Sequence, residues 1–496
     1  MSERSEHGEP RTQQESRQAR TPLPGTRGGP PPGGPGAPRA GASRPGPGGA
    51  VPSRGAAAPG ARSAAGGGAG GGGGGGGEPE GVRRADPAAG DGPAGGGGAA
   101  EDGPRGGRAP AADEPADADG PRDADDRARH VAAWRASTRV LWRSSAERTV
   151  REGLTALAAG AAEVYAMDSP VDLYGDGPVA ELERRTAALL GFPAAVHFPT
   201  GTMAQQVALR CWAGRTGNRT VALHPLSHPE VHERSALSVV GGLRTVHPTH
   251  EPRLPSAEEV QELEEPFGTL MLELPLRDAG FVLPEWDDLV ATVGAARERD
   301  AVVHVDGARL WECGTHFGRP LDEIAGLADS VYVSFYKSLG GLSGAVLAGP
   351  HSLVEEARAW RHRYGGQVFQ QYPAALSGLV GLERELPRLP SYVAHARTVA
   401  AALGEGLAAA GVPWHRVNPP VPQTHQFQVW LPVEADAANA AALAQSEETG
   451  VTLFRRWFPD GPPGMCRTEV TVSAEGLRWS AGDVGEAAAE FARRLP

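Results

Sequence analysis

Of the 48 lysine and arginine residues in this 496-residue chain, a single one, Lys337, is lysine. An ammonium differs from a guanidinium in that it can lose its proton and become a nucleophile. A chain that uses arginine everywhere else therefore points to Schiff-base chemistry at residue 337. Lys337 ends the strand-like run Ser330-Val-Tyr-Val-Ser-Phe-Tyr336 and precedes the glycine-rich Ser338-Leu-Gly-Gly-Leu-Ser-Gly344. In an α/β sheet, ligands bind at the carboxyl ends of the strands. A lysine partly withdrawn from water there is deprotonated more readily and can form an imine with an aldehyde. The plainer alternative is a surface lysine at a strand end.

Three further segments have side chains suited to the same chemistry. His304-Val-Asp306-Gly-Ala-Arg309 lies at the carboxyl end of another apolar run. A carboxylate at Asp306 suits a protonated pyridine nitrogen, which keeps such a ring able to accept electrons from a substrate; it also suits an ordinary turn. Arg309 has the fork geometry that binds a carboxylate bidentately. Phe198-Pro-Thr-Gly201-Thr202-Met-Ala204 reads as strand, glycine turn and helix start, where free N–H groups and the helix dipole favour a phosphate or, more simply, a side-chain cap. His228 follows the strand-like Thr220–Leu223, where an imidazole can stack on a ring and exchange protons or sit unused in a loop. Its i, i+4 partner His232 and the nearby Glu230 and Glu233 raise a metal pair, but no HExxH motif or further ligand accompanies them, so no metal is expected.

The elements that must position these residues alternate short apolar runs with longer amphipathic ones, the pattern of an α/β protein with a mostly parallel sheet. The expected strands are 194–198, 220–223, 244–247, 269–274, 301–305, 331–335 and 344–348. Several are nearly continuous in apolarity, as strands buried on both faces should be. Helices are expected at 202–212, 230–239, 256–264, 285–299 and 352–363. Ser256-x-x-Glu259 is a capping-box signature, and Pro284 is expected to open the fourth helix. Beyond about residue 387 a smaller α+β unit is expected, with helices at 397–410 and 484–494 and strands at 427–431 and 469–473.

Residues 1–130 differ in kind. They hold 35 of the 69 glycines and no Phe, Trp or Tyr. They carry 16 arginines against 17 acids and read as a disordered tail with no means of burying a core. The expected organisation is thus a tail at 1–130, a large domain at 131–386 and a small domain at 387–496. Residues 131–496 hold 32 basic and 43 acidic side chains, which excludes the basic surface of a nucleic-acid binder. Cys211, Cys313 and Cys466 are too few and too scattered for a disulfide framework. With no apolar run of about 18 residues and no signal-like start, a cytoplasmic protein without membrane contact is expected.

Five segments, in order, resemble the threonine aldolase and β-eliminating lyase family of pyridoxal-phosphate (PLP) enzymes, of the aspartate-aminotransferase-like fold. They are Asp172-Leu-Tyr-Gly-Asp-Gly-Pro178, Pro199-Thr-Gly-Thr-Met-Ala204, Ser227-His228, Val305-Asp-Gly-Ala-Arg309 and Ser334-Phe-Tyr-Lys-Ser-Leu-Gly340. The resemblance implies that Lys337 bonds the cofactor, Asp306 pairs with the pyridine nitrogen and His228 stacks on the ring. It implies that Gly201 and Thr202 hold the phosphate, and that Arg309, helped by Arg467, binds the substrate carboxylate. Tyr174 falls in a segment that lies near a shared dimer interface in the family, which implies a homodimer or homotetramer. The implied reaction is cleavage of a β-hydroxy amino acid to glycine and an aldehyde. Departures leave three alternatives: β-elimination from another amino acid, a PLP-binding protein without lyase activity, and a scaffold that serves the tail. Leu272-Glu-Leu-Pro-Leu-Arg277 replaces a Leu-Glu-Asn-Thr-His-like run, Phe369 stands where an arginine is usual, and Tyr336 stands where a serine is usual. Nothing in 135–143 matches the family's opening Arg-Ser-Asp-Thr-like segment.

Overall fold

A computed structural model of the chain describes residues 121–496. The disordered tail expected over 1–130 lies outside the described residues as far as 120. Residues 121–130 belong instead to helix α1 (Pro121–Ala136), so the folded part begins earlier than expected. Its sequence is polar, and it is held by charge: the Arg129 guanidinium meets both carboxylate oxygens of Glu447 at 2.7 Å.

The central sheet has seven strands, β1 (Ala194–Phe198), β2 (Thr220–Ala222), β3 (Arg244–Val246), β4 (Thr269–Glu273), β5 (Val302–Gly307), β6 (Ser330–Ser334) and β7 (Ala345–Gly349). They lie in the order β1-β7-β6-β5-β4-β2-β3. The four pairings from β6 to β3 are parallel, and β7 runs antiparallel to both neighbours. β4, β6 and β7 are buried at every position, which accounts for their apolar interiors, with polar residues only at the ends of β4 and β6. Alternate side chains feed different cores: Val331, Val333, Val346 and Ala348 pack in one cluster and Tyr332, Ala345 and Leu347 in another. Helix α2 (Gly201–Thr216) packs in the second cluster through Ala204, Val207, Ala208 and Cys211.

All seven expected strands form, with ends shifted by at most two residues. The expected helix at 230–239 does not. It is two single turns, His228–Val231 and Ala236–Val239, parted at Arg234 and Ser235, whose φ angles of 51° and 59° are left-handed. The break lets Glu233 point inward, where Gln206 Nε2 donates to it at 3.2 Å. The capping box forms, Ser256 and Glu259 bonding each other's backbone N–H. Pro284, however, precedes the cap Glu285 rather than opening the helix.

Toward the C-terminus β8 (Arg416–Asn418), β9 (Gln426–Leu431), β10 (Trp457–Pro459) and β11 (Cys466–Thr471) form an antiparallel sheet in the order β10-β11-β9-β8. Helix α3 (Leu389–Ala409) begins eight residues before its expected start at 397. It packs with Phe427, Val429, Trp457 and Phe491 in a core separate from the central sheet's. Among the described residues no helix is long and apolar enough to cross a membrane.

One loop is anchored by a single carboxylate. Buried Asp172 accepts the backbone N–H of Gln371 at 3.0 Å and of Tyr372 at 2.7 Å, tying segment 172–178 to the start of helix Tyr372–Arg384. Asp172→Ala strands these donors, and an unsatisfied buried donor costs about 1–3 kcal/mol. A lowered midpoint in denaturant unfolding is the expected result.

Candidate active site

The parallel strands bring two acids and the lone amine to one rim. Glu273 ends β4 and pairs in register with Asp306 near the end of β5, and Asp306 in turn pairs with Tyr332 of β6. Lys337 lies three residues beyond β6 and is partly buried. Asp306 is 2% exposed, and its Oδ1 accepts the Ala308 N–H at 3.1 Å. Burial pushes the Asp306 carboxyl above the usual range, while His228 and Lys337 pull it back. Sequence reasoning did not single out Glu273. Burial, and then the Asp306 charge, push it up to about 8, although the N–H groups of His228, at 2.6 Å, and Arg277, at 3.2 Å, donate to its two oxygens.

His228 opens a helical turn whose next residue is Pro229. Its Nδ1 lies 3.3 Å from Glu233 Oε1, and its ring centre is 5.2 Å from that of His232. Burial, followed by the Lys337 charge, holds the imidazole well below its ordinary value, so it is neutral near pH 7. Glu233 was another omission, named only as a conceivable metal neighbour. Burial raises its carboxyl, Gln206 and Thr202 hydroxyl contacts oppose the rise, and its Oε1 is buried without a hydrogen bond. His232 Nε2 sits 2.7 Å from Asp278 Oδ2, and no group of three or more His, Cys, Asp or Glu placed to hold a metal ion occurs among the described residues.

Gly201 begins α2, and the cap Thr200 accepts the Met203 N–H at 3.2 Å through its hydroxyl. A Cβ on Gly201 would lie 2.0 Å from the Tyr332 hydroxyl, so any larger residue would fill this corner. The exposed Thr202 sits beside it at the first turn of a 16-residue helix, where unpaired N–H groups attract an anion.

The expected carboxylate-binding arginines divide. Arg309 is buried, donates from Nε to Gln426 Oε1 at 2.7 Å and lines the cleft that also contains Lys337. The Arg467 guanidinium lies among protein carboxylates, with Glu469 at 3.3 Å, Asp278 at 3.5 Å and Asp460 close by. Tyr174 is half exposed with φ 63°, its ring centre 5.3 Å from that of Phe369, the residue at the family arginine's place. The cleft, of about 1410 Å³, is also lined by Tyr336, Arg143 and Ser144.

Two buried acids side by side give a testable pH dependence. A carboxyl raised in the folded state contributes stability below its unfolded value that is lost as pH rises through the folded one. For Glu273 that window runs from about 4.5 to about 8. Glu273→Gln is expected to flatten the fall in the apoprotein's unfolding midpoint across this window, as measured by thermal unfolding at fixed ionic strength.

The family model described as beta-eliminating lyase matches residues 148–405. The chain is 31% identical over 232 residues to the low specificity L-threonine aldolase of Escherichia coli K12, covering 45% of this chain and 69% of that protein. It is 28% identical over 303 residues to the low-specificity L-threonine aldolase 1 of Arabidopsis thaliana, covering 57% and 80%. Among solved structures, an Exiguobacterium chain assigned as an aromatic amino acid β-eliminating lyase/threonine aldolase is similar with TM-score 0.67 and 33% identity, over 74% of this chain and all of that one. A Listeria monocytogenes chain assigned as an L-allo-threonine aldolase is similar with TM-score 0.67 and 31% identity, over 74% and 99%.

Proposed function

Because the chain belongs to the β-eliminating lyase family, a family of PLP-dependent lyases, we propose that it cleaves β-hydroxy amino acids of the threonine type to glycine and an aldehyde. The observation that carries this reading is the meeting of the lone lysine with Asp306 and His228 at one strand-end rim. Lys337 is close enough for its charge to act on both.

The residues fit PLP. The Gly201 corner and the first turn of α2 suit a phosphate, the partly buried Lys337 suits an aldehyde, and buried Asp306 suits a cationic ring nitrogen. When bound, PLP supplies the electron sink that makes a bond at the substrate Cα breakable. Lys337 provides the amine that bonds the cofactor. Asp306 keeps a proton on the ring nitrogen, since a cation opposite offsets the cost of its buried charge. Gly201 and Thr202 bind the phosphate, and Arg309 holds the substrate carboxylate. His228 covers the ring. Its Nδ1 faces Glu233, which leaves Nε2 of the neutral imidazole to take a proton.

Arg467 enters this reading only indirectly, as the partner of Asp278 and Glu469 beside Arg277. Tyr174 and Phe369 form a half-exposed aromatic pair that suits a homodimer or homotetramer contact. Three buried free thiols are in keeping with a cytoplasmic setting. The folded part is assigned to a large domain built on the parallel sheet and a small one built on the antiparallel sheet.

Purified protein with added PLP is expected to show a cofactor absorbance that Lys337→Ala abolishes. Wild type that never binds PLP, or a Lys337→Ala protein with an unchanged spectrum, overturns the cofactor assignment. Threonine and allo-threonine are expected to yield glycine. Assay of an amino-acid panel for glycine, aldehyde, ammonia and keto acid separates this outcome from β-elimination and from an inactive binder.

A further inference from the structure

Behind Lys337 lies a buried ion pair that the chemistry above does not use. Glu312 ends the short turn Leu310–Glu312 that follows Arg309, and it is 1% exposed. Its Oε1 accepts the hydroxyl of Ser338, the residue after Lys337, at 3.0 Å. Its Oε2 lies 2.9 Å from Nε2 of His425, itself buried. On the other side of that ring, Nδ1 lies 2.8 Å from the Val472 carbonyl, which can only accept. Neither Oε2 nor Nε2 forms a hydrogen bond, so what joins them at 2.9 Å is the charge of a carboxylate and an imidazolium. Gln426, the next residue along, accepts from Arg309 Nε at 2.7 Å and donates to Thr471 at 2.9 Å.

These contacts form a continuous path from Lys337 to Arg309. Lys337 is chained to Ser338, Ser338 to Glu312, Glu312 to His425, and His425 through its neighbour Gln426 to Arg309. The path crosses from the central sheet's rim to β9 of the antiparallel sheet. We propose that Glu312 and His425 are positioning residues that set the cofactor-bonding lysine in register with the arginine that holds the substrate carboxylate. The proposal rests on the functional reading above.

The physical case is that both ends need fixing. The stretch after Lys337 includes Gly340 and Gly344 at φ 65° and 100°, a backbone with little stiffness of its own. Arg309 is a long side chain whose aim depends on what its Nε meets. Breaking a buried pair by removing one partner leaves an uncompensated charge, and a misplacement of about 1 Å at a reacting group costs on the order of 100-fold in rate. The pair can thus be decisive without touching substrate.

The two ends are separable by kinetics in the holoenzyme. Ser338→Ala, at a partly exposed residue, frees only the lysine end. The expected result is a kcat for glycine release from threonine lowered by about tenfold with KM unchanged. His425→Gln and Glu312→Gln loosen the arginine end, and a KM for threonine raised by about tenfold is expected. The KM for threoninamide, which has no carboxylate for Arg309 to hold, is expected to stay unchanged. Cofactor absorbance and the thermal unfolding of each holoprotein supply readouts apart from activity, and the absorbance is expected to persist in all three variants. Unchanged constants in all three, or equal rises in KM for threonine and threoninamide, overturn the pairing while leaving the functional reading intact. A wild type that releases no glycine ends the functional reading and the pairing with it.

Discussion

A parallel sheet packed on both faces tolerates charge only at its rim, and here the rim holds two carboxylates in adjacent strands. Asp306 and Glu273 are paired in register and almost fully buried. Two such groups resist ionising together in a poorly solvated place, unless cations or N–H donors face them. The surroundings answer this constraint. Backbone N–H groups of His228 and Arg277 serve Glu273, the Ala308 N–H serves Asp306, and the charge of Lys337 favours the ionised form of Asp306. The site is therefore a consequence of where the sheet permits charge, and the lone lysine stands where that permission falls.

The antiparallel sheet is joined to this rim by a second set of charges. Arg277, two strands' width from the lysine, pairs with Glu469 of β11 at 2.9 Å, and Arg467 of the same strand meets Asp278, Asp460 and Glu469. Arg277, Asp278 and Arg467 are nearly inaccessible to solvent. Such a network adds little net stability over an apolar contact of the same volume, yet loss of one member leaves a buried charge uncompensated. Its value is geometric. It places β9 and β11 over the strand ends, and with them Gln426 beside Arg309.

The sheet was legible because strands buried on both faces must be apolar throughout. That is why 194–198 could be read to the residue and the other six within two. The places of Lys337, Asp306, His228 and Gly201 in the fold were legible because each lies at or just beyond a strand end or at a helix start. Glu273 and Glu233 were not, because nothing in a one-dimensional pattern distinguishes a carboxylate aimed at a buried rim from one on a solvated face. The broken helix at 230–239 failed for a related reason. Its apolar spacing is helical, but the left-handed Arg234 and Ser235 follow from the inward turn of Glu233, a tertiary demand. The carboxylates around Arg467 were not legible either, since Asp278, Asp460 and Glu469 reach it from three separate parts of the chain.

Two groups of residues near this rim are fixed by different means. Lys337, Asp306 and Gly201 are set by strand ends and a helix start, whose positions the core of the central sheet dictates. Arg277 and Asp278, Tyr174 and Phe369 lie outside the regular elements of that sheet, on loops held by ion pairs and an aromatic contact. Changes in such loops leave the buried strands untouched, so this side can diverge while the rim keeps its chemistry. Under the proposed function, the sheet would then carry the type of chemistry through Lys337, Asp306 and Gly201, and the loops that hold Arg277 and Phe369 would carry the choice of substrate.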